Sequence, residues 1–416
     1  MSPVLAILIY LAVATFVVTR RGLISSEFLF LTFLSLFHIP FTIIYLLDFG
    51  AAEGLNILSL IDIETELLTV VPLDIAMIVI GVFIGSSLQT TFRRPKAAQY
   101  ERASLFGPAL ALFFLGTMAI VARRFFYVRS VGYHEAGNFV LIDPVIDWLI
   151  RGFYLVLFAY VMEFNKWQVS RKKLILFLPF IVAMIGGSRQ AALGPIVAVV
   201  VLNSVMLNSS VTRYVRISLI FGIIASAFPL MRTLRVTEGE NLNWDTFDGL
   251  LGILIETGRT VRLLQWARDT CSEPIGIGAY LSEALVRLVP LTQKDIQNLS
   301  TEVFGGGNGF SALAEAHCVA GDSKVLWLLL LGTLWGYFLG FRRADLGTPQ
   351  GRLKVFLTIS LAITWPRDEL LGYVRELVWV SFLIPILVNA FLVRRLKFNP
   401  TPQGTAPPMN ATRRRA

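Results

Sequence analysis

Residues 174–189 read LILFLPFIVAMIGGSR. The apolar run Leu174–Ile185 stops at Gly186-Gly187-Ser188-Arg189, and a second apolar run begins at Gln190. Two hydrophobic segments with almost no loop between them predict antiparallel membrane helices, with the glycines letting the backbones approach closely. A helix needs ~20 apolar residues to cross the hydrocarbon core, and this run has 12. Two further runs also stop short at an arginine. Ile217–Met231 has 15 residues and ends at Arg232; Val355–Trp365 has 11 and ends at Pro366-Arg367-Asp368. An arginine at that depth is costly unless it faces a protein-lined, water-filled cavity. A single arginine could instead snorkel to the headgroups. Three of them, similarly placed, point to an anion pocket inside a membrane protein.

The bulk composition agrees. Mean hydropathy is +0.67 and 55% of residues are hydrophobic. Only 16% are charged, against about 25% in soluble proteins. The expected fold is an all-α polytopic membrane protein with about 11 transmembrane helices, at 3–19, 23–47, 67–88, 104–122, 145–162, 174–187, 190–207, 217–231, 324–341, 355–365 and 376–393. The N-terminus lacks a basic leader and a cleavage site, so 3–19 reads as a retained span.

The net charge of +9 does not indicate nucleic acid once the charges are placed. Alternating the spans sorts the loops into two sets. One holds Arg20-Arg21, Arg93, Arg94, Lys96, Arg102, Lys166, Arg171–Lys173, Arg213, Arg216, Arg342, Arg343, Arg352, Lys354 and the tail from Arg394, together 22 of the 37 Lys and Arg residues. The other holds Asp48–Glu66 and a 92-residue loop, 232–323, in which acidic residues outnumber basic ones. The positive-inside rule places the first set in the cytoplasm. The N-terminus and the long loop are then outside and the C-terminus inside. Residues 1–398 form one transmembrane domain, with loop 232–323 between spans 8 and 9. The Pro/Thr-rich tail 399–416 with its basic end reads as disordered, lying near anionic lipid.

The long loop is patterned. Leu250–Ala267 has helical periodicity, with Arg259 and Arg262 at i,i+3 on one face. Pro274–Gly278 is a turn, Ala279–Val289 a second amphipathic stretch, and Gly305–Gly309 a hinge before the next span. Arg232/Arg235 and Arg259/Arg262 suit a diphosphate, since the planar guanidinium grips two oxygens at once; ion pairing, as of Arg259 with Glu256, is the alternative. Glu315-Ala316-His317 precedes span 9, where a histidine beside a carboxylate can act as general base or as a structural interface residue. Asp147 and Arg151, at i,i+4 in span 5, read as an intramembrane salt bridge, and His38 reads as packing. Cys271 and Cys318 could pair in an oxidising compartment, but the favoured reading makes Cys318 a buried small apolar residue. Nucleotide and metal-ligand motifs are absent from the sequence, so no cofactor is expected.

These features resemble the Wzy-type oligosaccharide repeat-unit polymerases. The shared features are the short hairpin at Gly187-Ser188-Arg189, the long outer loop between late spans, Gly309-Phe310-Ser311-Ala312-Leu313-Ala314-Glu315 running into span 9, and Pro366-Arg367-Asp368 before the last span. The likeness runs from about residue 174 to 380. Asp322-Ser323-Lys324 stands where the family pattern has a second glycine, and O-antigen ligases share the overall plan. The resemblance implies an integral-membrane glycosyltransferase of the bacterial inner membrane. Its partners would be an undecaprenyl-diphosphate-linked oligosaccharide, membrane lipid and a chain-length regulator protein, with no nucleic acid. The growing glycan would pass from undecaprenyl diphosphate to the next lipid-linked unit. Arg189, Arg259, Arg262 and Arg367, and less firmly Arg232, would bind the diphosphate; His317 or Glu315 would be the base. A ligase with the same donor and a transporter of an anionic glycolipid are the rival readings.

Overall fold

The computed structural model describes residues 3–40, 42, 65–92, 99–131, 144–185, 189–206, 260–261, 263–289, 311–362, 365 and 370–396. The described apolar runs are helices. α1 (Pro3–Phe16) continues through a wide π-helical turn, Val17–Arg21. α2 (Ser26–His38) starts where the Ser25 hydroxyl accepts the Phe28 N–H, a side-chain cap for an otherwise unsatisfied donor. Then come α3 (Thr65–Phe92), β1 (Gln99–Arg102), α4 (Phe106–Val131) and α5 (Pro144–Phe164). A 3₁₀ segment (Arg171–Phe177) leads into α6 (Leu178–Ile185), followed by α7 (Arg189–Met206). After helical backbone at 263–270 the order is α8 (Ile277–Val286), α9 (Ala312–Ala320), α10 (Lys324–Leu339), α11 (Pro349–Ala362) and α12 (Leu370–Val378). A π-helical turn (Trp379–Leu383) then joins α13 (Ile384–Phe391) and β2 (Val393–Leu396).

Among the described residues, four segments are long and apolar enough to cross a membrane: Val70–Gln89, Phe106–Tyr127, Ala312–Gly347 and Val374–Phe391. Expected span 217–231 lies outside the described residues, as do the Gly305–Gly309 hinge, the tail 399–416 and most of loop 232–323.

The spine of the bundle is a parallel pair, α3 and α10, meeting at glycines. A Cβ placed on Gly81 or Gly85 would overlap the carbonyl oxygens of Leu329 and Thr333, and one on Gly332 or Gly336 those of Ile78 and Val82. Two Gly-xxx-Gly rows therefore interlock backbone against backbone, the small-residue contact by which helices associate in a solvent with no hydrophobic drive between them. Beside the seam, Trp335 packs on Phe30 and Trp365, with ring centroids 5.5 and 4.9 Å away.

Polar contacts gather at the two ends of this spine. At one end Arg352 grips Glu163 through Nη2 (2.5 Å) and Nε (3.0 Å), and the Trp167 indole N–H donates to the same carboxylate at 2.6 Å. At the other end Lys324 meets Asp74, and His38 meets Ser311. Within α5, Arg151 holds Asp147 through Nε (3.0 Å) and Nη2 (2.7 Å), the ion pair its spacing suggests.

Two expectations need correction. The fold is mostly helical, but β1 and β2 pair antiparallel, with Glu101 opposite Arg394. Their segments are short and charged with no alternating pattern, and opposite charges across strands favour the pairing. The short runs are also longer as helices than as apolar stretches. The 3₁₀ segment rises ~2.0 Å per residue and α6 ~1.5 Å. Arg171–Ile185 thus reaches roughly 26 Å, near the ~30 Å core. Likewise α11 begins at Pro349, six residues before its apolar run.

Candidate functional site

The site is built around α9. Ser311 caps its first turn, its hydroxyl accepting the N–H groups of Leu313 (3.3 Å) and Ala314 (3.5 Å). Glu315 lies in the same first turn, where the helix dipole favours a carboxylate. Small side chains let the helix sink into the protein: Ala312, Ala314, Ala316 and Cys318 are all fully buried.

Three neighbours pin α9. From α2, His38 Nε2 lies 2.9 Å from the Ser311 hydroxyl, while Nδ1 lies 2.9 Å from the Leu34 carbonyl. That carbonyl can only accept, so Nδ1 carries the hydrogen, and in the neutral ring the serine donates to Nε2. From α12, the first backbone N–H, Leu370, donates to Glu315 Oε2 at 2.9 Å. From the long loop, Cys271 is disulfide-bonded to Cys318, with Cα atoms 5.1 Å apart. The N–H groups of Ile275 and Gly276 donate to the Cys318 and Val319 carbonyls at 3.0 and 2.9 Å. The bridge corrects the reading of Cys318 as an unpaired apolar residue. It is buried as expected, but a bridged sulfur is as apolar as a thiol, so burial does not tell them apart.

Beyond the Gly321 turn, Lys324 Nζ donates to Asp74 Oδ2 at 2.9 Å, and Trp327 packs edge-on against Tyr280 with centroids 5.5 Å apart. His317 is half-buried, and Lys324, Arg268 and Asp322 are the charges that act on it. Among the described residues, no His, Cys, Asp and Glu cluster could hold a metal ion.

Of the sequence candidates, Glu315 and His317 share α9. Arg189 is the first residue of α7; its side chain lies outside the described residues, as do Arg232, Arg259, Arg262 and Arg367. The described neighbours of Arg259, Arg262 and Arg367 are anchored at one end of the bundle. Thr260, next to Arg259, donates its hydroxyl to the Phe37 carbonyl of α2. Val261 and Leu264 are buried. Leu370, three residues after Arg367, is held by Glu315. Sequence reasoning missed Asp74 and Lys324. A lone aspartate inside the apolar run Val70–Gln89 was the available signal.

This is a polytopic, mostly helical membrane protein with a buried polar cluster at one end of its bundle. The family described as O-antigen polysaccharide polymerase Wzy matches residues 1–273, about two thirds of the chain. The chain belongs to that family, and with it to the membrane glycosyltransferase-type polymerases of polysaccharide biosynthesis. The match ends near Cys271, so α9, Glu315, His317 and Arg367 lie beyond it. No curated protein and no solved structure matches the chain.

Proposed function

We propose that the protein polymerises lipid-linked oligosaccharide repeat units by transferring the growing glycan from undecaprenyl diphosphate to a hydroxyl of the next lipid-linked unit. The bond from the anomeric carbon to the diphosphate oxygen breaks, and undecaprenyl diphosphate leaves with the electron pair. The acceptor oxygen forms the new bond to that carbon, and its proton passes to a base. Arg189, Arg259, Arg262 and Arg367, with Arg232 as an accessory, neutralise the charge that builds on the leaving diphosphate, work best done by preorganised donors in a water-poor cavity. His317 takes the proton, with Glu315 as the other candidate. The protein crosses the inner membrane eleven times with its N-terminus outside, so the long loop and α9 face the outer side.

One observation carries this reading beyond family membership. α9, which bears Glu315 and His317, also holds Leu370 and Cys271, and these belong to the segments that carry Arg367 and Arg259/Arg262. The meeting of these distant segments on one buried helix supports a two-substrate transfer, in which the reacting groups must be held together.

Deletion of the gene tests it. Single repeat units on carrier or lipid core are expected. Polymer retained on the carrier would mean a ligase, and unchanged surface glycan would overturn both.

A further inference from the structure

A second polar cluster lies at the opposite, basic end, where the π-helical turn after α1, the end of α3 and the residues after α10 meet. Arg21 Nη2 donates to the Ser87 hydroxyl at 2.9 Å, and Arg342 Nη2 approaches the same oxygen at 3.5 Å. Two guanidinium groups therefore converge on one neutral hydroxyl.

Their surroundings are unequal. Arg21 is held in place. Its Nε lies 3.5 Å from Glu27 Oε1, and its guanidinium stacks 4.3 Å over the Phe83 ring. Glu27 is fully buried and accepts the hydroxyls of Ser86 (2.6 Å) and Ser26 (3.2 Å). Arg342 has no such partner. Asp345, the nearest acid in sequence, accepts the Arg342 backbone N–H at 2.8 Å. Among the described residues the Arg342 side chain makes no ion pair, and its buried Nε has no hydrogen-bond partner. Nearby Lys354 is engaged by Gln89 (2.7 Å) and the Gly340 carbonyl.

We propose that Arg21, Arg342 and Ser87 form a binding site for a phosphate group at the basic end of the bundle. Glu27 offsets one of the two positive charges, leaving one for a phosphodiester monoanion. The fork of Arg342, with an unused donor beside a fixed second guanidinium, matches two phosphate oxygens. An orphaned buried donor beside unbalanced like charge is costly, and a bound anion relieves both costs. The site lies level with the C-terminal ends of α3 and α10, where the exposed Arg20 and Arg343 also sit. Either a lipid headgroup or a soluble phosphate could occupy it.

A ligand that binds only the folded state raises the melting temperature with concentration, so thermal unfolding of the full chain in neutral detergent is the test. Three probes are titrated: phosphatidylglycerol, phosphatidylcholine and inorganic phosphate. Expected is stabilisation by phosphatidylglycerol, with the half-effect concentration raised about tenfold in Arg342→Gln and unchanged in Arg343→Gln. Phosphatidylcholine should act weakly. If inorganic phosphate gives the same Arg342-dependent shift, the phosphate site stands and its ligand is soluble. Because Arg342 makes no described ion pair, R342Q is expected to fold even if Arg21→Gln does not. Equal responses of wild type and R342Q to both anions would overturn the proposal.

Discussion

Lys324, the first residue of α10, meets Asp74 of α3 at 2.9 Å, ahead of the glycine seam. The aspartate side chain is 1% exposed and the lysine 23%. Removing one member of such a pair leaves a buried charge uncompensated, at about 3–5 kcal/mol. Lys324→Gln should therefore lower the melting temperature and the yield of monodisperse protein, and adding Asp74→Asn should restore part of the loss. A single K324Q variant that melts like wild type would show that Asp74 is neutralised another way.

The seam yields a steric prediction. Gly336→Val places side-chain atoms where the Val82 carbonyl already sits, and Gly81→Leu does the same to Leu329. Interiors this close cannot absorb the overlap without parting the helices. Both variants should give little folded protein by fluorescence-detected size exclusion. Gly107→Ala, whose new Cβ meets nothing within 4 Å, should express normally.

How much of this was legible beforehand depended on the range of the interaction. α4 follows directly from an apolar run within one stretch of chain, and Arg151–Asp147 from an i,i+4 spacing on one helix. The glycine seam was half visible. Gly81-xxx-Gly85 and Gly332-xxx-Gly336 are in the sequence, but nothing local says that each row is the other's partner. Asp74 and Lys324 are 250 residues apart, so an isolated aspartate announced a buried charge without naming what neutralises it. Arg342 misled in the other direction: in the sequence it is one more basic loop residue, and only the fold brings it to the hydroxyl that Arg21 already holds.

The disulfide is open to direct measurement. Alkylation without reductant should leave the mass unchanged, and alkylation after reduction should add two labels. The bridge closes a separation of 47 residues, which chain entropy values at about 4 kcal/mol. The Cys271→Ser/Cys318→Ser double variant should melt lower than wild type. Two labels without reductant would dispose of the bridge.

The bridge also bears on orientation, since disulfides persist in oxidising compartments. Single cysteines introduced at Asp62, Asn243 and Gln297, in the bridge-free background, should react with an impermeant maleimide on intact cells. Cysteines at Arg20, Lys172 and Arg395 should react only after permeabilisation. The reverse pattern would invert the protein and remove α9 from the outer face.

The sharpest test of function concerns the arginines proposed to hold the diphosphate. Arg189→Ala, Arg259→Ala and Arg367→Ala should each abolish or sharply reduce polymer in a cell-based glycan ladder while protein levels persist. Losing one preorganised donor to a developing charge costs about 10²–10³ in rate. Arg→Lys should rescue poorly, because an ammonium keeps the charge and loses the fork. Arg213→Ala and Arg343→Ala, in the basic loops, should leave the ladder intact. Arg189 is the strictest of the three tests, because Arg171–Ile185 reaches roughly 26 Å, close to a full span of the ~30 Å core. A normal ladder from both Arg189→Ala and Arg367→Ala would mean that these arginines only reach for the headgroups, and the diphosphate would have to be held elsewhere.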